Sequence, residues 1–393
     1  MCGLAGLWQW RGGAREALLE QVQAMSAQLI HRGPDDGGAW CDESAGIALA
    51  QRRLSILDLS PAGHQPMPSA CGRYVLVFNG EIYNHLHLRQ QLLAESAAPA
   101  WRGHSDTETL LACFVAWGVE QTLRACAGMF ALALWDRRQR TLTLARDRMG
   151  EKPLYYAWQD GILLFGSELK ALKAHAAFRA EVDRDALALL LRHDCVPAPY
   201  SIYRGVLKLR PGHLLCITAD APRHAQAVAY WRYNDAVSAG LGNPLHGSDA
   251  EAIDALEEQL GASVSAQMLA DVPLGAFLSG GIDSSTIVAL MQVRSRRPVK
   301  TFTMGFGETG YDEAAHAKAV ARHLGTEHTE LYVRPEDALA VIPKLPSIFC
   351  EPFSDSSQIP TFLVSQLTRR EVTVALSGDG GDELFGGYNR YLG

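Results

Sequence analysis

From residue 249 onward the chain repeats one pattern: helix (Asp249 to Met268), strand (Val272 to Leu278), helix (Ser284 to Gln292), strand (Lys300 to Phe306), helix (Glu313 to Leu324), strand (His328 to Val333), another helix and a last strand (Val372 to Leu376). Short apolar strands separated by helices close into one sheet through right-handed crossovers, which makes the strands parallel. Residues 249–393 are therefore expected to form an α/β parallel-sheet domain. The earlier part has a different grammar. Cys2 to Trp10, Tyr74 to Phe78, Met129 to Trp135, Thr141 to Ala145 and Ile162 to Phe165 are short apolar or alternating runs bounded by Gly, Asp or Asn, as half-buried strands are. Helical spacing of Leu18, Leu19, Val22, Met25 and Leu29 stops at Gly33-Pro34, and further helices are expected over Ser105 to Trp117 and Asp183 to Arg192. This half is read as an α+β domain of layered antiparallel sheets with covering helices. Asn234 to Ser248 is rich in Gly, Asn, Pro, Ser and His, with little periodicity. It reads as linker. The division expected is 1–220, a linker at 221–248, and 249–393; the aromatic, Gly-rich stretch from Gly386 to Gly393 has no terminating helix and is expected to stop within a larger domain.

Charge and composition narrow the function. Lys and Arg number 36 against 43 Asp and Glu, a formal net charge of −7, so the basic surplus of a nucleic-acid binder is missing. No apolar run reaches the roughly 18 residues of a membrane span, and no signal peptide opens the chain, so no membrane partner and a cytoplasmic location are expected. Eight scattered cysteines without a C-x-x-C pair suggest neither a disulfide framework nor a zinc site; most are expected to be reduced core residues.

Cys2 directly follows the initiator methionine. Once Met1 is removed, a thiol stands beside a free α-amine whose ordinary pKa, about 7.7–8.0, lets it take the thiol proton near neutrality. Gly3 and Gly6 leave room around it. Taken alone, Cys2 could equally be an arbitrary terminal residue. The context is His31-Arg32-Gly33-Pro34-Asp35, Arg53-Leu54-Ser55-Ile56, Asn79-Gly80-Glu81-Ile82-Tyr83-Asn84, Ser105-Asp106-Thr107-Glu108 and Ala145-Arg146-Asp147-Arg148. In this order the fragments resemble the class II glutamine amidotransferase domain, an N-terminal-nucleophile hydrolase, over roughly residues 2–220. The resemblance implies Cys2 as nucleophile, Arg53 on the glutamine α-carboxylate, and Glu81 and Asp106 on its α-ammonium. Asn79 and the Gly80 backbone N–H would hold the oxyanion. His31, His64 and His85 are read as structural, and Trp8, Trp10, Tyr155 and Tyr156 as core or interface aromatics.

In the second half, Val272 to Leu278 runs into Ser279-Gly280-Gly281-Ile282-Asp283-Ser284-Ser285 and then an apolar helix. A strand, a Gly-Gly turn and a helix N-terminus gather backbone N–H groups and three hydroxyls into an anion cradle. The Gly-Lys-Ser/Thr ending of a Walker loop is absent. A second loop, Ser377-Gly378-Asp379-Gly380-Gly381-Asp382-Glu383, also follows an apolar strand and would lie at the same sheet edge. Asp283 and Asp382 are candidate Mg2+ ligands, although either could simply cap a turn. The first loop resembles that of the ATP-pyrophosphatase enzymes, which have a Rossmann-like fold. The resemblance implies that ATP also contacts Leu278, Met304, Ser377 and Gly378, and that Asp379 influences acyl-adenylate formation; Glu and Ser are commoner than Asp379 and Gly381 at those positions.

The two halves together resemble the glutamine-hydrolysing asparagine synthetase family. The implied reaction frees ammonia from glutamine at Cys2, passes it through a shielded passage, activates an aspartate β-carboxylate with MgATP, and displaces AMP to give asparagine. Glutamine, ATP and aspartate are the implied partners, and the resemblance leaves room for a homodimer. Two alternatives stay open: an amidotransferase of the same chemistry acting on another carboxylate, such as a uronic-acid sugar in surface-polysaccharide assembly, and a glutaminase-only or non-catalytic nucleotide-binding protein.

Overall fold

The computed structural model describes residues 1–220, 225–306, 313–388 and 391. The chain divides into two compact units: Met1–Pro244 with Phe349–Ser354, and Leu245–Ile348 with Asp355–Gly393.

The first unit begins with β1 (Gly3–Gln9), α1 (Arg15–Ala27), β2 (Asp36–Asp42), β3 (Ile47–Arg53), β4 (Met67–Pro68) and β5 (Tyr74–Ile82). Helices α2 (His85–Ala94), α3 (Asp106–Trp117) and α4 (Val119–Ala125) lead into β6 (Gly128–Asp136), β7 (Thr141–Arg146), β8 (Tyr155–Gln159) and β9 (Ile162–Gly166). It continues with α5 (Leu169–Lys173), α6 (Arg184–His193), β10 (Val206–Lys208), β11 (His213–Thr218), β12 (Ala227–Ala229) and α7 (Tyr233–Gly242). The last two fall within the stretch read as linker.

These strands form two antiparallel sheets, ordered β10-β8-β9-β1-β3-β2 and β12-β11-β7-β6-β5-β4. The period-two geometry of each strand sorts its side chains between two environments. Leu4 and Trp8 of β1, Ile47 and Leu49 of β3, Val75 and Val77 of β5, and Ala131, Ala133 and Trp135 of β6 meet in one buried cluster between the sheets. The opposite face of the first sheet buries Ala5, Leu7, Ala48 and Leu164 against Leu18, Val22 and Met25 of α1. That of the second buries Leu76, Phe78 and Leu132 against Leu110, Leu111 and Phe114 of α3. The result is the layered arrangement read from the sequence, helices outside two stacked sheets. Trp8 sits 5.2 Å from Trp10 and 5.1 Å from Trp135, so the aromatics pack core as expected. Strands β2 and β3 were not anticipated: Gly37 and Gly38 hide the first, and Ile47 to Ala50 is buried on both faces, so it lacks alternation.

The second unit contains α8 (Asp249–Gln267), β13 (Leu274–Phe277), α9 (Ile282–Arg294), β14 (Lys300–Phe306), α10 (Ala314–Leu324), β15 (Glu327–Val333) and β16 (Val374–Leu376). Its sheet, β15-β14-β13-β16, is parallel at every pairing, as the alternation demands. The chain leaves β13 toward β14 and returns to its other side as β16, so the loops after β13 and β16 adjoin where the strand order reverses. Such a switch point is where open α/β sheets bind ligands.

One expectation fails. Only Cys41, Cys113 and Cys126 of the eight cysteines are buried; Cys71, Cys195 and Cys216 are exposed, and Cys2 and Cys350 lie between. Apolar composition predicts burial on average, but Cys195 sits in a surface loop and Cys216 faces outward on β11, which the strand's alternation dictates. No helix among the described residues is long and apolar enough to cross a membrane.

Candidate active sites

The first site grows out of the inter-sheet core. Parity along the strands puts Cys2, just before β1, on the face of Leu4 and Trp8; Gln51 and Arg53 on that of Ile47 and Leu49; and Asn79 and Glu81 on that of Val75 and Val77. Where the apolar filling ends, these polar side chains take over. Cys2, Arg53, Asn79 and Glu81 line one pocket together with Gly80, Asp106, Met129 and Lys152. Every residue assigned to glutamine from the sequence is thus brought together.

Cys2 is fixed by its neighbours. Its Sγ accepts the Leu54 N–H at 3.4 Å, and Arg32 Nε donates to its carbonyl at 2.8 Å. Burial pushes the thiol up, opposed by the Leu54 bond, the chain's amino terminus and Arg53. A thiol held protonated needs a base beside it to become a nucleophile. The room expected around Gly3 and Gly6 is absent. A Cβ on Gly3 would meet Leu29 at 2.9 Å, and one on Gly6 would run into the Phe165 ring, so both glycines serve packing.

Arg53 is buried, and its guanidinium donates to the carbonyls of Leu57 at 2.9 Å, Asp58 at 2.6 Å and Ser60 at 3.5 Å. These bonds engage Nη2 and one Nη1 hydrogen of five N–H groups, leaving donors for a carboxylate. Gly63 packs flat on the guanidinium, where a Cβ would collide. Asn79 is fully buried, yet neither Oδ1 nor Nδ2 has a partner. An orphaned buried amide costs about 1–3 kcal/mol, so it marks a place where a ligand completes the hydrogen bonding. Glu81 is 9% exposed, its Oε1 is also unpartnered, and burial with Asp106 nearby pushes its carboxyl up to about 7 against the opposing Lys152. Asp106 accepts the N–H of Ile82 at 2.9 Å and of Thr107 at 2.7 Å, and burial raises its carboxyl too. Two buried carboxylates side by side form a receptor for a cation.

Sequence reasoning missed Lys152, which lines the pocket, and Gln51 and Asp58, which do not line it. Gln51 carried a signal, its parity with Arg53; Lys152 carried none. Its loop is built around Asp147, which is fully buried and accepts the N–H groups of Phe130, Glu151 and Lys152. The three singled-out histidines have structural bonds: His31 to Glu168 at 3.1 Å, His64 to Asp36 at 2.7 Å and His85 to the Ile82 carbonyl at 3.0 Å.

The second site lies in the other unit, at the switch point. Ser279 N donates to Ser284 Oγ at 3.2 Å, the two hydroxyls are 2.9 Å apart, and Gly281 N donates to Ser279 Oγ at 3.2 Å. Gly280 has φ +84, and a Cβ there would sit 2.6 Å from Ala317 N, so glycine is required. Ser285 Oγ is buried and unpartnered at the opening of α9. The second loop packs on the first through glycines: a Cβ on Gly378 would lie 2.8 Å from Ser284 N, and one on Gly381 would strike the Asp283 carboxylate. Asp283 therefore reaches the residue next to Asp382. Ser377 Oγ donates to Asp379 Oδ2 at 3.0 Å, in the exposed part of that loop. Leu278 is buried, with its N–H on the Phe302 carbonyl, and Met304 follows Phe302 by two residues on β14.

Comparison with known proteins agrees with both halves. Residues 1–231 match the family model of the glutamine amidotransferase domain, and 255–393 that of asparagine synthase. The Methanocaldococcus jannaschii protein named "Putative asparagine synthetase (glutamine-hydrolyzing) 2" is 35% identical over 100% of this chain and 76% of its own length. The Bacillus subtilis "Asparagine synthetase (glutamine-hydrolyzing) 1" is 36% identical, again over 100% of this chain, but the chain spans only 59% of it. A Mycobacterium tuberculosis relative with a similar name is 39% identical, with 61% of its length matched.

Proposed function

The chain belongs to the glutamine-hydrolysing asparagine synthetase family, and on that premise we propose that it hydrolyses glutamine at Cys2 and uses the ammonia to amidate an acid activated by ATP in its second unit. The observation that carries the reading is the orphaned Asn79 amide, buried in the pocket that also holds Cys2, Arg53, Glu81 and Asp106. Arg53 receives the α-carboxylate of glutamine and the Glu81–Asp106 pair its α-ammonium, which aims the side-chain amide at Cys2. With Met1 removed, the α-amine of Cys2 takes the thiol proton as sulfur attacks the amide carbon. Asn79 Nδ2 and the Gly80 N–H stabilise the oxyanion, the α-ammonium gives its proton to the departing nitrogen so that ammonia leaves and the thioester forms, and water then releases glutamate from the thioester.

In the second unit, the loop from Ser279 to Ser285 cradles the ATP phosphates, with Leu278, Met304, Ser377 and Gly378 completing the nucleotide site. The unpartnered Ser285 hydroxyl fits a phosphate acceptor. Mg2+ also fits. It is held by one or two carboxylates plus phosphate and water, and Asp283 and Asp382 supply two on adjoining loops. The ion would neutralise charge on the departing pyrophosphate. Asp379 is assigned, on the family resemblance, an influence on acyl-adenylate formation. Aspartate is the acceptor proposed, with residues 1–220 and 249–393 carrying the two reactions, in a cytoplasmic enzyme.

The test supplies glutamine and MgATP with aspartate or a panel of uronic acids and quantifies glutamate, AMP and amide. Equal AMP and asparagine support the reading. AMP with a uronic acid alone replaces the acceptor, and glutamate without AMP reduces the protein to a glutaminase.

A further inference from the structure

Asp58 is 1% exposed and sits at φ +59, a left-handed conformation that side chains rarely adopt without cause. Its two ends face different loops. The backbone carbonyl accepts Arg53 Nη2 at 2.6 Å, and Oδ1 accepts the Ser60 hydroxyl at 2.5 Å and the Ser60 N–H at 3.2 Å, which pins the loop after β3 around the guanidinium. Oδ2 accepts the His104 N–H at 2.9 Å, two residues before Asp106. Gly103 makes that approach feasible, because a Cβ there would strike Asp58 Oδ2 and lie 2.9 Å from Ala62. The segment is held from its other side by Glu108, which accepts the N–H groups of Arg102 at 2.9 Å and Gly103 at 3.1 Å. Asp58 is thus a side chain that joins the segment after β3, which wraps the α-carboxylate reader, to the segment leading into α3, which opens with an α-ammonium reader.

We propose that Asp58 is a positioning residue that fixes the separation between Arg53 and Asp106, and thereby makes the first pocket selective for an amide carrying an α-amino-acid head. The inference rests on the glutamine reading of that pocket. Asp58 does not line the pocket; it acts through the two groups that do. Releasing it lets the two readers drift apart, so affinity for the head suffers while the thiol, just before β1, and the oxyanion donors of β5 keep their places.

Asp58→Asn replaces an acceptor of the His104 N–H by an amide that must either turn its N–H toward that donor or give up the Ser60 bonds. KM for glutamine is expected to rise about tenfold or more, from the loss of a charge-assisted bond at a distance, with kcat far less affected. Alkylation of Cys2 by iodoacetamide, followed by mass spectrometry of the N-terminal peptide, reports thiol reactivity without using the α-groups, and its rate should stay within about twofold of wild type. Gly103→Ala, which drives the loops apart from the opposite side, should reproduce the split and covers the case in which Asp58→Asn folds poorly. An unchanged KM in both variants, or an equal loss of glutaminase and alkylation rates, overturns the proposal. Wild-type protein that neither hydrolyses glutamine nor is protected by it from alkylation overturns the pocket reading itself, which is a separate result.

Discussion

The Asp106 carboxylate accepts the backbone N–H of Ile82 at 2.9 Å, so the first residue of α3 is bonded to the strand that carries Asn79, Gly80 and Glu81. That one bond places two carboxylates in the same pocket wall although 24 residues of chain separate their partners.

The pair makes glutamine binding depend on pH. Burial and Asp106 push Glu81 up to about 7, so below that pH its carboxyl is neutral in the empty pocket, and an incoming ammonium binds better once the proton has left. KM for glutamine should fall as pH rises from 6 to 8, with proton release on binding measurable by calorimetry in two buffers. Glu81→Gln should flatten that dependence and raise KM.

The same shift predicts a stability effect of opposite sign. A carboxyl raised in the folded state favours folding below its unfolded value of about 4.5, and that contribution is lost as pH rises through about 7. Above neutrality Glu81→Gln should therefore unfold at a higher temperature than the wild type, by an amount that vanishes near pH 4; differential scanning calorimetry across pH reads it directly.

Asn79 has no structural partner to lose. Asn79→Ala should lower kcat for glutamine hydrolysis about 100- to 1,000-fold, the usual consequence of deleting one oxyanion donor, with little change in KM or melting temperature. A stability loss without a kcat effect would make the residue structural.

Asp283 stands in the other unit. Asp283→Ala should reduce AMP formation about 100-fold or more with either glutamine or ammonia as nitrogen source while leaving glutamate release intact. Unaffected AMP yield would remove Asp283 from the metal site.

Gly6→Ala tests the packing claim. The added Cβ meets the Phe165 ring with no space to enter, so about 1–3 kcal/mol of stability should be lost, visible in denaturant midpoints.

How much of this was legible in the sequence depends on how local the causes are. The Ser279-to-Ser285 loop was legible because strand, turn and helix are contiguous, and Gly280 alone betrays the turn. Both domain architectures followed from periodicity, since the helix–strand alternation after 249 and the short strands before it are local signals. The glutamine pocket was legible through family order, yet its physical origin, strands whose inward parity continues past the apolar core, emerges only once Cys2 and Arg53 of one sheet and Asn79 of the facing sheet are seen on the same inter-sheet side. Asp58 was invisible, because its partner His104 lies 46 residues away and its conformation leaves no mark in composition. Cysteine exposure was misread for the same reason: Cys216 is apolar by composition but outward by register.

The most direct test of the account is glutamate release from glutamine by the wild-type protein and by Cys2→Ala, with the N-terminus of each checked by mass spectrometry. The account predicts hydrolysis by wild-type protein that begins at Cys2, and none by the variant. Glutamate formed by Cys2→Ala at the wild-type rate would contradict it.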